Sequence, residues 1–266
     1  MQVYWLEQTE GDVPLANDWL SARETICFNG LRFAKRRADW RLGRWTAKHA
    51  IASYLNLPDN SHDLAKIEIR PALSGAPEAF VANAPAPVTI SISHRNGTAL
   101  CAIAPSGVGL GCDLEIIEPR SEAFVADYFT PEEHALIACA SPAENLRIVA
   151  LLWSAKESAL KALREGLRLD TRSVSVRFND RSCDLSSWNS LDVRCPDGSL
   201  FHGWWRNTNS ILRTVVANPP PDSPISMKVP VCFSDNPSFD LNKRTENTQT
   251  RCFGGTPIEK LYVSPR

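Results

Sequence analysis

The stretch from Gly109 to Lys161 constrains this chain more than any other. Gly109-Leu110-Gly111-Cys112-Asp113-Leu114-Glu115 reads as an apolar strand with two carboxylates two positions apart, and Trp153-Ser154-Ala155-Lys156-Glu157-Ser158-Ala159-Leu160-Lys161 as a helix with a third. Strand alternation projects Asp113 and Glu115 from one face while Cys112 and Leu114 pack inward. Helical spacing of four sets Trp153, Glu157 and Lys161 in one row. Lys156 falls about 100° round the helix from Glu157, so it ranks below Lys161. Three carboxylates with a lysine one turn away suit a hard divalent ion, Mg²⁺ above all, that leaves positions for phosphate oxygens. Each element alone has an ordinary reading; Glu157 and Lys161, for instance, make an i, i+4 pair worth only about 0.3–0.5 kcal/mol on a solvated face. Together they point to phosphoryl transfer.

In this order, with Gly166-Leu167 following, these segments resemble the signature of the 4′-phosphopantetheinyl transferases, the larger type that activates peptide and polyketide synthases. The resemblance implies an α+β fold of two similar α/β halves, a pseudo-dimer in one chain, with the active site between them. Residues 1–105 would be the half with coenzyme A-binding loops, and residues 106–218 the half with the metal and catalytic motifs. The implied reaction transfers the 4′-phosphopantetheine group of coenzyme A to a serine of an apo acyl or peptidyl carrier protein and releases adenosine 3′,5′-bisphosphate. Asp113, Glu115 and Glu157 would hold Mg²⁺, and Lys161 would balance charge on the transferring group. Glu157 would accept the serine proton, with Glu133 as the alternative. Lysine or secondary-metabolite biosynthesis is the implied setting, and a two-halved chain would complete its site as a monomer.

The rest of the chain extends the resemblance. Residues 1–8 read as a short strand, and 17–56 as helical, with Trp40, Ala47, Ala50 and Ile51 on one face and Arg41, Arg44 and Lys48 on the other. That basic face is either solvated or, by the resemblance, close to the phosphates of coenzyme A, with Lys35 as a contact and Arg36 or Arg37 as its substitute. Residues 58–87 read as proline-rich loop. Gly75-Ala76-Pro77 stands where the family has Gly-Lys-Pro, and Arg70 is the residue placed to replace the missing charge. Val88 to His94 alternates as a strand, burying Val88, Ile90 and Ile92 and showing Thr89, Ser91 and Ser93. Its Ser91-Ile92-Ser93-His94 is similar to the family's Asn-x-Ser-His, which implies Ser93 and His94 as coenzyme contacts, with Ser91 in place of the asparagine. Thr98 to Ala104 reads as a further strand. Thr130-Pro131-Glu132-Glu133 has the spacing of an N-cap, a proline at N1 and a capping-box glutamate, a sufficient account of Glu133 by itself. A helix follows from Pro142 to Leu163, stopped by Gly166, and strands return between 173 and 217.

Composition excludes several classes. A net charge of −1 with 22% charged residues gives no electrostatic footprint for nucleic acid. No run approaches the roughly 20 apolar residues of a membrane span, and the N-terminus lacks the basic and apolar regions of a secretion signal. Eight scattered cysteines with no Cys-x-x-Cys read as reduced thiols of a cytoplasmic protein. Past Pro219-Pro220-Pro221 the composition turns to Pro, Ser, Asn and Thr, which reads as a disordered tail over 219–266. Neither a P-loop nor a dinucleotide-binding glycine motif is present. The standing alternative is a non-catalytic relative that binds carrier protein or coenzyme A.

Overall fold

The computed structural model describes residues 1–165, 168–178 and 184–228. The chain opens with strand β1 (Tyr4–Thr9), helix α1 (Ala22–Gly30) and the long helix α2 (Ala34–Tyr54). Short helix α3 (Ser61–Leu64) leads to β2 (Ile67–Pro71), β3 (Pro77–Val81) and β4 (Ala84–Pro85), and then to the hairpin of β5 (Val88–Arg95) and β6 (Thr98–Pro105). The second half begins with β7 (Gly109–Ile116), passes through α4 (Glu122–Tyr128), α5 (Pro131–Cys139) and α6 (Pro142–Ala162), and ends in β8 (Ser175–Phe178), β9 (Asn189–Arg194), β10 (Leu200–Thr208) and β11 (Ile211–Asn218). A last strand, β12 (Ile225–Ser226), lies parallel to β1. The fold is α+β.

Three sheets result, ordered β12-β1-β6-β5, β7-β11-β10-β9-β8 and β2-β3-β4. One apolar core packs α2 on the first sheet through Ala47, Ile51, Ile90 and Ile103, and a second packs α6 on the five-stranded sheet through Leu151, Leu152, Val193 and Trp205. A third core joins the sheets, with Val3, Leu100 and Ala102 of the first against Cys112, Leu114 and Val215 of the second. This third core brings β5 beside β7, where the Cys112 N–H donates to Ser91 Oγ at 2.9 Å. Both faces of β7 are therefore covered: Asp113 and Glu115 are 4% and 8% exposed, like the inward Cys112 and Leu114.

Gly111 sets the distance between β7 and α6. A Cβ there would stand 1.7 Å from the Ser158 carbonyl oxygen, so only glycine lets the strand lie directly under the helix that carries Glu157 and Lys161.

One device occurs in each half. Ser21 and Glu24 form a capping box at the start of α1, and Glu24 meets the buried Lys48 of α2 at 2.5 Å and accepts the Ile69 N–H of β2 at 3.2 Å. Thr130 and Glu133 form the same box at the start of α5, and Glu133 meets the buried Lys156 of α6 at 2.7 Å and accepts the Val176 N–H of β8 at 3.2 Å. Each lysine also donates to two main-chain carbonyls, Trp19 and Leu64 for Lys48, Tyr128 and Thr171 for Lys156. Burial without such partners would cost each ammonium several kcal/mol.

Four expectations change. The helix expected over 17–56 is two helices, broken at residues 31–33 between the C-cap Leu31 and the N-cap Phe33. Lys48 is not on a solvated basic face but fully buried. The loop expected over 58–87 holds α3 and the three-stranded sheet, in which the prolines end or edge strands, where no ladder N–H is required of them. Of the tail expected over 219–266, residues 219–228 instead join the first sheet, where Ile225 pairs with Tyr4 and Asp222 meets the Met1 ammonium at 3.2 Å, and residues 229–266 lie outside the described residues. The described residues form one compact unit that runs across the boundary expected at 105/106. Among them Cys27, Cys101, Cys112, Cys139 and Cys195 are free thiols, and no helix is long and apolar enough to cross a membrane.

Candidate active site

β7 delivers Asp113 and Glu115 to the side on which α6 presents Glu157 and Lys161. Asp113 Oδ1 receives two hydrogen bonds, from Lys161 Nζ at 2.7 Å and from the Ser93 hydroxyl at 2.8 Å. Its Oδ2 is buried and has no hydrogen-bond partner. Lys161 also donates to the Cys112 carbonyl at 3.1 Å, which fixes the ammonium over the strand. Glu115 Oε1 accepts from the Trp153 indole N–H at 3.1 Å, and its Oε2 from Arg120 at 2.9 Å, with Arg95 at 3.7 Å.

The carboxylates sense one another. Burial pushes Glu157 above the usual carboxylate range, Lys161 opposes that rise, and Asp113 and Glu115 add to it. Burial likewise raises Glu115, with Asp113 reinforcing it and Arg95 and Arg120 working against it. For Lys161 the loss of solvent, which lowers its pKa, is outweighed by Asp113 and Glu157, so the group is held firmly as a cation. A cluster of this kind, with negative charge in excess at Glu157 and an orphaned oxygen on Asp113, fits a hard divalent cation. Asp113, Glu115 and Glu157 are the residues that would hold it. Among the described residues no three such side chains already converge on a single metal-sized point; Lys161 bonds Oδ1 of Asp113, and Arg120 bonds Oε2 of Glu115.

A groove leads to Lys161 through two cavities that share Gly75, Pro77 and Ile92. The inner one, about 310 Å³, is walled by the Ser74–Pro77 loop, by Ser91 and by Lys161 and Arg164. The outer one, about 560 Å³, is lined by Lys35, Arg36, Arg44 and His94 among others. Partial enclosure lowers the His94 pKa; Lys161 and Lys35 add to the fall, and Asp39 and Asp113 oppose it, so the imidazole is neutral near pH 7.

The expected residues divide accordingly. Asp113, Glu115, Glu157 and Lys161 come together; Lys35 and His94 line the outer cavity, and so does Arg36, while Arg37 instead stacks on Phe28 at 4.4 Å. Glu133 lies apart from both cavities of the groove; 4% exposed, it accepts bonds from Thr130, Lys156 and Val176. Arg70 is corrected, since its guanidinium lies on Phe80 at 4.1 Å and bonds Glu68 and Asn83 on the face of the small sheet. Ser93, expected as a coenzyme contact, is buried and directs its hydroxyl to Asp113. Trp153, from its place a core residue, bonds Glu115. Arg44, expected on the basic face, lines the outer cavity, whereas Arg95 and Arg120 were not singled out. Only Arg95 had a local signal, its place directly after His94.

Comparison with known proteins agrees with this geometry. Residues 109–205, from β7 into β10, match the sequence model of the 4′-phosphopantetheinyl transferase superfamily. A 4′-phosphopantetheinyl transferase of Bacillus subtilis is 29% identical over 108 residues, 41% of this chain and 44% of that protein. An L-aminoadipate-semialdehyde dehydrogenase-phosphopantetheinyl transferase of Schizosaccharomyces pombe is 27% identical over 177 residues, 59% of this chain and 67% of that protein. The matched segment therefore spans less than half of the bacterial relative and about two thirds of the fission-yeast one. The match over β7 to β10, which makes that segment similar to the 4′-phosphopantetheinyl transferase superfamily, takes in Asp113, Glu115, Glu157 and Lys161.

Proposed function

We propose that the chain is an enzyme of the larger transferase type, moving 4′-phosphopantetheine from coenzyme A to a serine of an apo acyl or peptidyl carrier protein. The observation that carries this reading is the continuity of the groove: a basic outer cavity leads past Gly75–Pro77 to an inner one lined by Lys161, whose ammonium bonds Asp113 of the carboxylate cluster. Lys35, Arg36, Arg44 and His94 would meet the phosphates at the adenosine end, and Lys161 the diphosphate. Attack by the serine Oγ on the β-phosphorus forms the new O–P bond and breaks the bond to the bridging oxygen, which leaves with adenosine 3′,5′-bisphosphate. Glu157 would take the serine proton directly or through water. Mg²⁺ on Asp113, Glu115 and Glu157 would supply charge neutralisation at the diphosphate.

Two similar halves would frame the groove, and the recurrence of the Glu24–Lys48 and Glu133–Lys156 devices supports that view. The fission-yeast relative's name makes a carrier segment of an aminoadipate-semialdehyde dehydrogenase the first partner to try, with lysine biosynthesis as the setting. We place the reaction in the cytoplasm, with one chain acting as a monomer.

The test is release of adenosine 3′,5′-bisphosphate from coenzyme A. Release is expected only with an apo carrier present and is lost when the carrier's serine becomes alanine. Release without a carrier would indicate coenzyme A hydrolysis; none with any carrier, despite coenzyme A binding, would favour the non-catalytic alternative.

A further inference from the structure

The C-terminal stop of α6 is built against the preference of its own backbone. Arg164 follows the C-cap Leu163 with φ of 60°, in the left-handed region that glycine usually fills at this position. Its N–H returns to the Lys161 carbonyl at 3.0 Å, and the Glu165 N–H to the Leu160 carbonyl at 3.1 Å, the paired bonds of a Schellman stop. Glycine would make both bonds without the crowding of a Cβ. Nothing in the cap calls for a side chain.

The side chain reaches the inner cavity, one turn beyond Lys161 and across from the Ser74–Pro77 loop. There Nη1 meets Glu78 Oε1 of β3 at 3.1 Å. The two side chains are 48% and 41% exposed, so solvent screens the pair and it contributes little to the fold. Neither the cap nor the ion pair accounts for an arginine held in a strained conformation, and strain of this kind gathers where a ligand is held.

On the reading of the groove as a coenzyme A site, we propose that Arg164 is a ligand-binding residue whose guanidinium leaves Glu78 for a phosphate of the bound coenzyme beside Lys161. Guanidinium is always charged and presents paired N–H groups that match phosphate oxygens. Glu78 is then a competitor for the same cation, one that the doubly charged diphosphate displaces and whose half-exposed position makes the exchange easy.

Calorimetric titration of coenzyme A into wild type, Arg164→Gly and Glu78→Gln tests this. Arg164→Gly is expected to weaken binding about tenfold or more, as loss of a hydrogen bond to a charged group does. It should also flatten the salt dependence of the dissociation constant, and it should unfold at a temperature no lower than wild type, because glycine relaxes the stop. Glu78→Gln is expected to tighten binding. Wild-type affinity in Arg164→Gly, or weakened binding in Glu78→Gln, would overturn the role of Arg164 while the groove reading stands. Failure of the wild type to bind coenzyme A would overturn both.

Discussion

Glu157 carries the most at the scale of single residues, because burial and two neighbouring carboxylates both work against its ionisation. Its folded pKa lies above that of the unfolded chain, so the native state holds a proton that the unfolded state has released. Stability therefore falls as pH rises from the usual glutamate range through the raised value, and the same holds for Glu115. A divalent cation bound among the carboxylates would compete with that proton. The acid limb of kcat/KM against pH is accordingly expected to sit above the range of an ordinary glutamate and to move to lower pH as Mg²⁺ is raised. A limb that stays fixed at every Mg²⁺ concentration would separate Glu157 from the metal. Asp113 Oδ2, buried with no bond of its own, is the second residue whose position calls for a cation.

Helices and strands are the scale at which the two buried lysines act. Lys48 and Lys156 each tie a long helix to the capping box of a preceding helix and to a strand beyond it. Removing one partner leaves a buried charge uncompensated, at a cost of about 3–5 kcal/mol. Glu133→Gln is thus expected to lower the midpoint of urea unfolding clearly and to leave kcat per folded molecule near wild type. A variant with normal stability and abolished turnover would return Glu133 to the chemistry. The sequence made the motif elements of the site legible, because periods of two and of about four place Asp113 with Glu115 and Glu157 with Lys161 over only a few residues. It concealed the role of Lys48, whose partner Glu24 lies on another helix and whose burial no local pattern announces. Arg70 misled for the reverse reason: position suggested the groove, but Phe80 and Glu68 on its own small sheet hold it. Arg95, at the end of β5, and Arg120, past the end of β7, reach Glu115 only once those segments are folded together.

For the whole molecule, the account rests on three cores that bring two sheets together at β5 and β7, so that Ser91 and Ser93 of one half hold Cys112 and Asp113 of the other. The α+β class was readable from the alternation of strand and helix patterns. The small sheet within residues 67–85 was not, since short edge strands rich in proline look like loop. The central claim is that phosphopantetheine passes to a carrier protein at the clustered carboxylates, and intact-mass spectrometry tests it most directly. Apo carrier proteins would be incubated with coenzyme A, Mg²⁺ and either wild type or Asp113→Ala, after melting curves have shown both to be folded. The account predicts a gain of one phosphopantetheine on the carrier with wild type and none with Asp113→Ala. An equal gain with both proteins would contradict it.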